Sequence, residues 1–299
     1  MTSGAGLACA PPTSYTGGFG ERRSLPGGTM GNQARYFAGK HPRVFGHRGA
    51  AGLAPENTLP SFALALELGA DYLELDVHGT RDGAVVVIHD SELERTTDGA
   101  GPVRHRTLTE VQRLDAGCRF STDGRHFPYR GQGVRVPTLE ELLARFPRTR
   151  LNIEVKQEEP PIVDAVVALI RAAGRSDDVL LAAEHDAIMA AIRAAVDDRI
   201  ATSFATGEVV DFVARLGSGF ADYRPEGRAL QIPPRYNDIE LITAESVAAA
   251  HRHGLEIHAW TINDREEIDR LLALGVDGIM SDLPGLARVA VDARGVAFS

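Results

Sequence analysis

Residues 44–49 read Val44-Phe45-Gly46-His47-Arg48-Gly49, an apolar run that ends in an imidazole and a guanidinium. The pattern returns three times, in Glu74-Leu75-Asp76, His89-Asp90 and Glu154-Val155-Lys156, each at the end of a short apolar segment. Buried strands are usually apolar throughout, so charges that recur at strand ends need an explanation. In a closed α/β barrel the carboxyl ends of the strands share one rim, where groups distant in sequence meet. The repeated pattern therefore favours a barrel with one charged site on that rim.

The rest of the chain supports the barrel, because short β-like runs alternate with helical patterns from Val44 onward. Thr138 followed by Glu141 forms a capping box that opens one helix, and Gly275 ends another. We therefore predict an α/β fold of the distorted TIM (β/α)8 barrel type.

Nine strands are predicted where such a barrel needs eight. The turn signal Arg81-Asp82-Gly83 leaves too few residues for a crossover helix before the strand at Val85, so one unit lacks its helix. We expect the surplus strand to be either Ile200–Ser203 or Ala229–Ile232. The region 115–136 has no periodicity and is predicted to be a long loop on the rim.

Composition bounds the function and the domain organisation. The 299 residues carry a net charge of −9, which disfavours general nucleic-acid binding. Two cysteines make no disulfide framework, and no apolar run approaches the ~20 residues that span a bilayer. We expect a cytoplasmic protein without a transmembrane segment, and the oligomeric state stays open. Residues 1–40 are rich in Gly, Ser, Thr and Pro, so we predict a leader that is disordered or untranslated, with Met30 as an alternative start and the barrel domain at 41–299.

A cation site is indicated by acidic residues two apart. Glu74 and Asp76 share one face of a strand, as do Asn152, Glu154 and Lys156 on another. Like charges this close repel unless a cation lies between them, and carboxylates without nearby cysteine suit a hard ion. The site is therefore predicted to hold one divalent cation, Mg²⁺ or Ca²⁺. The alternative, a solvated polar strand face, is disfavoured by the apolar flanks.

Two histidines and two cations are candidates for chemistry on a phosphate diester. Cleavage needs one proton removed from the attacking oxygen and one given to the leaving oxygen, and His47 and His89 could do both. Arg48 and Lys156 are candidate phosphate contacts, and ion pairs with the carboxylates are a compatible alternative role.

Three further residues are candidates for supporting or substrate-binding roles, and two of them have a structural alternative. Asn57 either caps the following helix or, like Glu56, supports the metal or a histidine from behind. Trp260, near the end of a late strand, is either a core residue or a contact for the glycerol backbone or the alcohol of a substrate.

Taken in order, these motifs resemble the glycerophosphodiester phosphodiesterase family from Val44 to about Leu286. The matching segments are His47-Arg48-Gly49, Pro55-Glu56-Asn57-Thr58, Glu74-Leu75-Asp76-Val77, Thr80-Arg81-Asp82-Gly83, His89-Asp90, Arg95-Thr96-Thr97-Asp98-Gly99, Pro137-Thr138-Leu139, Glu154-Val155-Lys156, Trp260-Thr261-Ile262-Asn263 and Gly275-Val276-Asp277-Gly278-Ile279. The resemblance implies a distorted barrel of the phospholipase C-like phosphodiesterase type and a divalent metal. It also implies hydrolysis of glycerophosphodiesters to sn-glycerol 3-phosphate and an alcohol.

The same resemblance implies a role for each polar residue of the site. His47 and His89 would be the general acid/base pair. The implied metal ligands are Glu74, Asp76 and Glu154, and the implied phosphate contacts are Arg48 and Lys156. The chain departs from the family at Ala182-Ala183-Glu184-His185, where a Ser-Phe pair is common, so the leaving-group preference stays open.

Three other functions stay open at this point. A lysophospholipase D would use the same site but needs an exposed apolar surface beside the mouth. A metal-independent phospholipase C-like enzyme also uses two histidines, and the three carboxylates argue against it. A non-catalytic phosphate-binding protein is the alternative outside catalysis, since a fold alone does not prove activity. The sequence also leaves open whether water attacks phosphorus directly or a glycerol hydroxyl first forms a cyclic phosphate.

Overall fold

The computed structural model describes residues 35–296, in which strands and helices alternate. Its strands are β1 (Arg43–Gly46), β2 (Tyr72–Gly79), β3 (Val85–Val87), β4 (Arg150–Val155), β5 (Val179–Ala182), β6 (Ala201–Thr202), β7 (Ala229–Ile232), β8 (Arg235–Tyr236), β9 (Ile239–Glu240), β10 (Glu256–Ala259) and β11 (Gly278–Ser281). Its helices are α1 (Leu59–Glu67), α2 (Leu108–Val111), α3 (Leu139–Arg145), α4 (Val163–Ala172), α5 (Asp186–Ala195), α6 (Thr206–Ser218), α7 (Ala244–Arg252), α8 (Arg265–Leu274) and α9 (Pro284–Val296).

Eight of the strands run parallel in the order β6-β5-β4-β2-β1-β11-β10-β7. A parallel bridge between Ser203 and Ala229 links the two outer strands of this order and nearly closes the sheet into a barrel. The predicted distorted (β/α)8 barrel is therefore confirmed. No helix in the part of the chain that the structure describes is both long and apolar enough to cross a membrane.

The surplus strand is β3, so the expectation that it would be one of 200–203 and 229–232 was wrong. Those two segments carry β6 and β7, which are both barrel strands. The hydroxyl of Thr80 donates to Asp82 and to the carbonyl of Ala84, which tightens the turn after β2. The chain reverses there, and β3 pairs antiparallel with β2 through Val77 and Val87. The turn therefore places an antiparallel strand beside the last residues of β2, where a crossover helix would otherwise follow.

Side chains of each strand alternate between the barrel interior and the helices outside. On β5, Leu180 and Ala182 belong to an interior cluster, whereas Val179 and Leu181 pack with the surrounding helices. Tyr36 joins the interior cluster and is fully buried, with its ring centroid 5.1 Å from that of Tyr72. The boundary predicted at residue 40 therefore falls inside a packed segment. The rest of the predicted leader lies outside the described residues.

The chain between β3 and α3 has only short elements and a small apolar core of its own. Its buried members are Val86, Ile88, Leu93, Val103, Val111, Ala116, Val134 and Val136. Residues 115–136 contain no helix or strand, as predicted. This excursion follows the carboxyl end of β3 and carries His89 and its neighbours, so it contributes to the rim of the barrel.

Candidate active site

Three carboxylates form the centre of the site at the carboxyl ends of β2 and β4. Glu74 and Asp76 are buried on β2, and Asp76 lies beside Glu154 in the parallel register of the two strands. One carboxylate oxygen from each of the three residues lies within 4.8 Å of the others. The spacing of two along β2 and the register with β4 bring together the residues that the sequence proposed as metal ligands.

The electrostatics of this cluster suit a cation. Burial and the neighbouring charge of Asp76 raise the pKa of Glu74 to about 8. Burial also raises the pKa of Glu154, although Lys156 opposes the rise. The pKa of Asp76 is lowered, because Arg48 and Lys156 outweigh its burial. A bound cation would favour the ionised form of carboxylates whose pKa is raised in this way. All three candidate ligands offer oxygen atoms, which suit a hard divalent ion.

Two cationic side chains contact the same carboxylates. Lys156 Nζ lies 2.8 Å from Glu154 Oε1 and 3.6 Å from Asp76 Oδ1. Arg48 Nε lies 3.3 Å from Asp76 Oδ2, and its backbone N–H donates to Glu74 at 2.8 Å. These contacts place both cations at the carboxylate cluster.

The His47-Arg48-Gly49 turn has a local cause. Arg48 and Gly49 both have positive φ, 50° and 89°, which turns the chain sharply after β1. A Cβ on residue 49 would collide with Ser61 of α1, so only glycine fits there. The turn points the Arg48 amide at Glu74 and presents His47 to the rim.

His47 is held by a carboxylate from the far end of the chain. Its Nδ1 donates to Asp282 Oδ1 at 2.7 Å, which leaves Nε2 facing Glu74 at 4.0 Å. Burial opposes protonation of His47, but the bond to Asp282 and the charge of Glu74 outweigh it and raise the pKa of the imidazole. Asn263 donates to the other oxygen of Asp282 at 2.6 Å and so orients the pair.

His89 has the same arrangement with a different partner. Its Nδ1 donates to Asp90 Oδ1 at 2.6 Å. His78, which the sequence left without a role, donates from Nε2 to the backbone carbonyl of His89 at 3.0 Å. Both candidate imidazoles therefore have Nδ1 bound to a carboxylate and Nε2 available for proton transfer.

In the loop after β1, helix capping and support of the charged cluster belong to different residues. Thr58 caps α1, with its hydroxyl accepting from Ser61. Asn57 has φ 56° and its side-chain amide donates to Asp76 Oδ2 at 2.9 Å. Glu56 accepts from Arg48 Nη1 at 2.9 Å. The cap is therefore Thr58, and Asn57 and Glu56 support groups of the charged cluster.

No hydrogen bond or ion pair among the described residues joins Trp260 to this cluster. Trp260 follows β10 on the same rim and is 41% exposed, so it is not a core residue. Sequence reasoning assigned no role to Asp282, Asp90 or Arg95. Asp282 carried a usable signal, because it follows β11 two positions after the interior residue Met280.

Enzymes on this fold place their catalytic groups at the carboxyl ends of the barrel strands, where this cluster lies. The fold and the site together define an α/β-barrel enzyme with an acidic centre and two carboxylate-bound imidazoles.

Comparison with known proteins identifies the family. A model of the glycerophosphoryl diester phosphodiesterase family matches residues 47–286. The glycerophosphodiester phosphodiesterase of Caldanaerobacter subterraneus subsp. tengcongensis is 34% identical over 247 residues, covering 81% of this chain and 94% of that protein. The chain therefore belongs to the glycerophosphoryl diester phosphodiesterase family and is an enzyme, a phosphodiesterase.

Solved structures agree with this assignment. The glycerophosphodiester phosphodiesterase of Agrobacterium tumefaciens strain C58 has a TM-score of 0.65 at 30% identity, covering 83% of this chain and 99% of that one. A phosphodiesterase of Oleispira antarctica, solved in complex with the product sn-glycerol-3-phosphate, has a TM-score of 0.66 at 27% identity. That match covers 84% of this chain and 97% of the other.

Proposed function

We propose that this protein hydrolyses glycerophosphodiesters to sn-glycerol 3-phosphate and an alcohol, using one divalent cation and two histidines. The observation that carries the proposal is the carboxylate cluster of Glu74, Asp76 and Glu154, with ligand oxygens within 4.8 Å. His47 lies beside this cluster. A positive charge on His89 would lower the pKa of both Asp76 and Glu154, so His89 is also close to the cluster.

The charge balance of the site supports the cation. Six carboxylates belong to the hydrogen-bonded network, namely Glu56, Glu74, Asp76, Asp90, Glu154 and Asp282. The permanent cations in it are Arg48, Arg95 and Lys156. With all six carboxylates ionised, this excess of negative charge would repel an anionic diester unless a cation were added, and the cation would itself favour ionisation of Glu74. When bound by Glu74, Asp76 and Glu154, Mg²⁺ or Ca²⁺ would supply that charge and polarise the phosphoryl oxygens.

The remaining chemistry falls to the side chains of the chain itself. Arg48 and Lys156 would bind and orient the phosphate, Arg48 through its planar guanidinium and Lys156 as a point charge. One histidine would take a proton at Nε2 from the attacking hydroxyl, and the other would give a proton from Nε2 to the departing alcohol. If water attacks, glycerol 3-phosphate forms directly. If the hydroxyl of the neighbouring glycerol carbon attacks, it displaces the alcohol to give a cyclic phosphate, which water then opens to glycerol 3-phosphate. His47 and His89 would serve as acid and base on either route.

The proposal is tested by glycerol 3-phosphate release from glycerophosphocholine and glycerophosphoethanolamine. His47→Ala and His89→Ala should each lower kcat by at least about 100-fold, the range of general acid–base catalysis. His105→Ala removes an exposed imidazole from the short helix at 103–105 and serves as the control. If either site variant kept the turnover of the control, that histidine would have no catalytic role.

One observation favours a second substrate class, a lysophospholipid, which carries a long acyl chain on its glycerol. Loops at the carboxyl ends of β1, β7 and β10 carry the exposed side chains Leu53, Tyr236, Ile239 and Trp260. Tyr236 and Ile239, on the β8–β9 hairpin, are 65% and 57% exposed. Exposed apolar side chains beside a site often mark a binding surface. A Tyr236→Ala, Ile239→Ala double variant should then lose lysophosphatidylcholine turnover while keeping that of glycerophosphocholine, and equal loss of both would exclude this class.

A further inference from the structure

Arg95 lies in the turn after Leu93, and its guanidinium joins carboxylates from two different segments of the chain. Its Nε and Nη2 donate to Asp90 at 2.6 and 3.0 Å. Its Nη1 and Nη2 donate to Glu56 at 2.6 and 2.8 Å. Four of its five N–H groups are used in this way, so little of the guanidinium is left to bind a phosphate.

Each of these carboxylates in turn holds a residue of the proposed site. Asp90 accepts from His89 Nδ1 at 2.6 Å, and Glu56 accepts from Arg48 Nη1 at 2.9 Å. His89 follows β3 and Arg48 follows β1, and these strands are not neighbours in the sheet. Arg95 therefore joins the carboxylate that binds His89 to the carboxylate that binds Arg48.

The turn that carries Arg95 is anchored on both sides. Leu93 is buried in the small core above β3. Thr97 is fully buried and its hydroxyl donates to the carbonyl of Leu93 at 2.7 Å. Arg119, from the long rim loop, donates to the carbonyl of Thr97 at 2.8 Å. A fixed backbone allows a long side chain to set the position of its partners.

The ionisation of the two carboxylates agrees with a strong link. Hydrogen bonding to Arg95 lowers the pKa of Asp90. Burial favours protonation of Glu56, but Arg95 and Arg48 outweigh it and lower the pKa of this carboxyl as well. Bidentate guanidinium–carboxylate pairs are the strongest and most directional ion pairs available to a protein.

We propose that Arg95 is a positioning residue of the phosphodiesterase reaction, acting on His89 through Asp90 and on Arg48 through Glu56. This inference rests on the proposed function, because it assigns Arg95 a part in placing the proton-transfer and phosphate-binding groups. Arg95 does not touch the substrate in this account. Its substitution should therefore affect kcat more than KM.

The first experiment measures kcat and KM for glycerophosphocholine in Arg95→Ala, Arg95→Lys and the control Arg81→Ala. Arg81 is 61% exposed and pairs only loosely with Glu110, at 3.7 Å. Arg95→Ala should lose about 100-fold in kcat, the cost of misplacing reacting groups by about 1 Å. Arg95→Lys should fall in between, because an ammonium group cannot reproduce the two bidentate contacts of the guanidinium. Added guanidinium ion should restore part of the activity of Arg95→Ala.

The results separate failure of this inference from failure of the proposed function. If the unsubstituted protein turns over the diester and Arg95→Ala matches Arg81→Ala, only the inference is overturned. If the unsubstituted protein releases no glycerol 3-phosphate, the proposed function fails and takes the inference with it. Should Arg95→Ala not fold, Arg95→Lys decides alone, and an unchanged kcat in that variant contradicts the link.

Two double-variant cycles test the two routes separately. If Arg95 acts through Glu56, the losses of Arg95→Ala and Glu56→Gln overlap, and the double variant is less impaired than their product predicts; the same holds for Arg95→Ala with Asp90→Asn. If the losses multiply in one cycle, Arg95 does not act through that carboxylate, and if they multiply in both, the proposed positioning role is wrong.

Discussion

At the scale of single residues, the site depends on carboxylates that hold each imidazole in one orientation. Asp282 binds Nδ1 of His47 and Asp90 binds Nδ1 of His89. A carboxylate on Nδ1 fixes the tautomer and stabilises the protonated ring, so that Nε2 is the atom that would exchange protons in the proposed reaction. The two histidines can then serve as acid and base with the same geometry.

Asp282→Asn tests this account of His47. The amide keeps the shape of the carboxylate but loses its charge and can present N–H to Nδ1, which favours the wrong tautomer. We expect kcat for glycerophosphocholine to fall at least about 10-fold with little change in KM. Asp211→Asn, which alters an exposed carboxylate on α6, is the control. A kcat equal to that of the control would show that Asp282 does not orient the reacting ring.

The sequence predicted residues at strand ends well and predicted their partners poorly. Glu74 and Asp76 could be placed on one face because the period of a strand is two. The pairing of His47 with Asp282 spans 235 positions and depends on β1 lying beside β11, which no local pattern states. Arg95 was visible in the sequence, but nothing in its neighbourhood indicates that it reaches Glu56.

At the scale of elements, Asp277 joins three segments at the start of β11. It accepts from His251 of α7 at 2.8 Å and from the backbone of Ile257 on β10 at 3.0 Å. Burial favours protonation of Asp277, but these donors outweigh it and lower the pKa of the carboxyl. This contact explains the aspartate of the Gly275-Val276-Asp277-Gly278-Ile279 segment as a structural residue.

Because the pKa of Asp277 is lower in the folded state, its stabilisation is present above the unfolded pKa of about 3.9 and is lost as the pH falls through the folded value. Asp277→Asn should lower the free energy of unfolding by about 1–3 kcal/mol at pH 7. The deficit should shrink below about pH 4, where the aspartate of the unfolded chain takes up a proton while the folded carboxylate still resists it. Urea unfolding at both pH values measures this, with Asp211→Asn as reference. A deficit independent of pH would rule out the charged contact as its source.

Element prediction succeeded where the local chemistry was sufficient and failed where tertiary pairing decided. The capping box of Thr138 and Glu141 forms as predicted, because both hydrogen bonds lie within four residues. Gly275 ends α8 in the left-handed conformation, also as predicted. The surplus strand was misassigned because the direction of β3 depends on the chain reversal at Thr80. That reversal leads to an antiparallel pairing with β2, which the sequence does not show.

At the scale of the whole molecule, the segment before β1 fills the interior of the barrel near the start of the strands. Tyr36 packs against Tyr72 and belongs to the same buried cluster as the small side chains Ala182, Ala201 and Ala229. Among the described residues its hydroxyl is buried and finds no hydrogen-bond partner. The ring therefore stabilises the barrel, whereas the hydroxyl is a cost.

Tyr36→Phe and Tyr36→Ala should act in opposite directions on stability. Tyr36→Phe keeps the ring and removes an unpaired buried group, so it should be neutral or stabilising by about 1 kcal/mol. Tyr36→Ala should cost about 3–5 kcal/mol through the cavity left among the alanines. Urea unfolding of both variants checks this. A clear loss of stability in Tyr36→Phe would mean that the hydroxyl is bonded in solution.

We propose that the acidic cluster of Glu74, Asp76 and Glu154 holds a divalent cation that phosphodiester hydrolysis requires. The decisive experiment measures glycerol 3-phosphate release from glycerophosphocholine before EDTA, after EDTA, and after Mg²⁺ or Ca²⁺ is restored. We predict that release stops with EDTA and returns with one of the two ions, and that Glu74→Gln cannot be rescued at the same ion concentration. Full activity in EDTA would contradict the account and favour a metal-independent enzyme with two histidines.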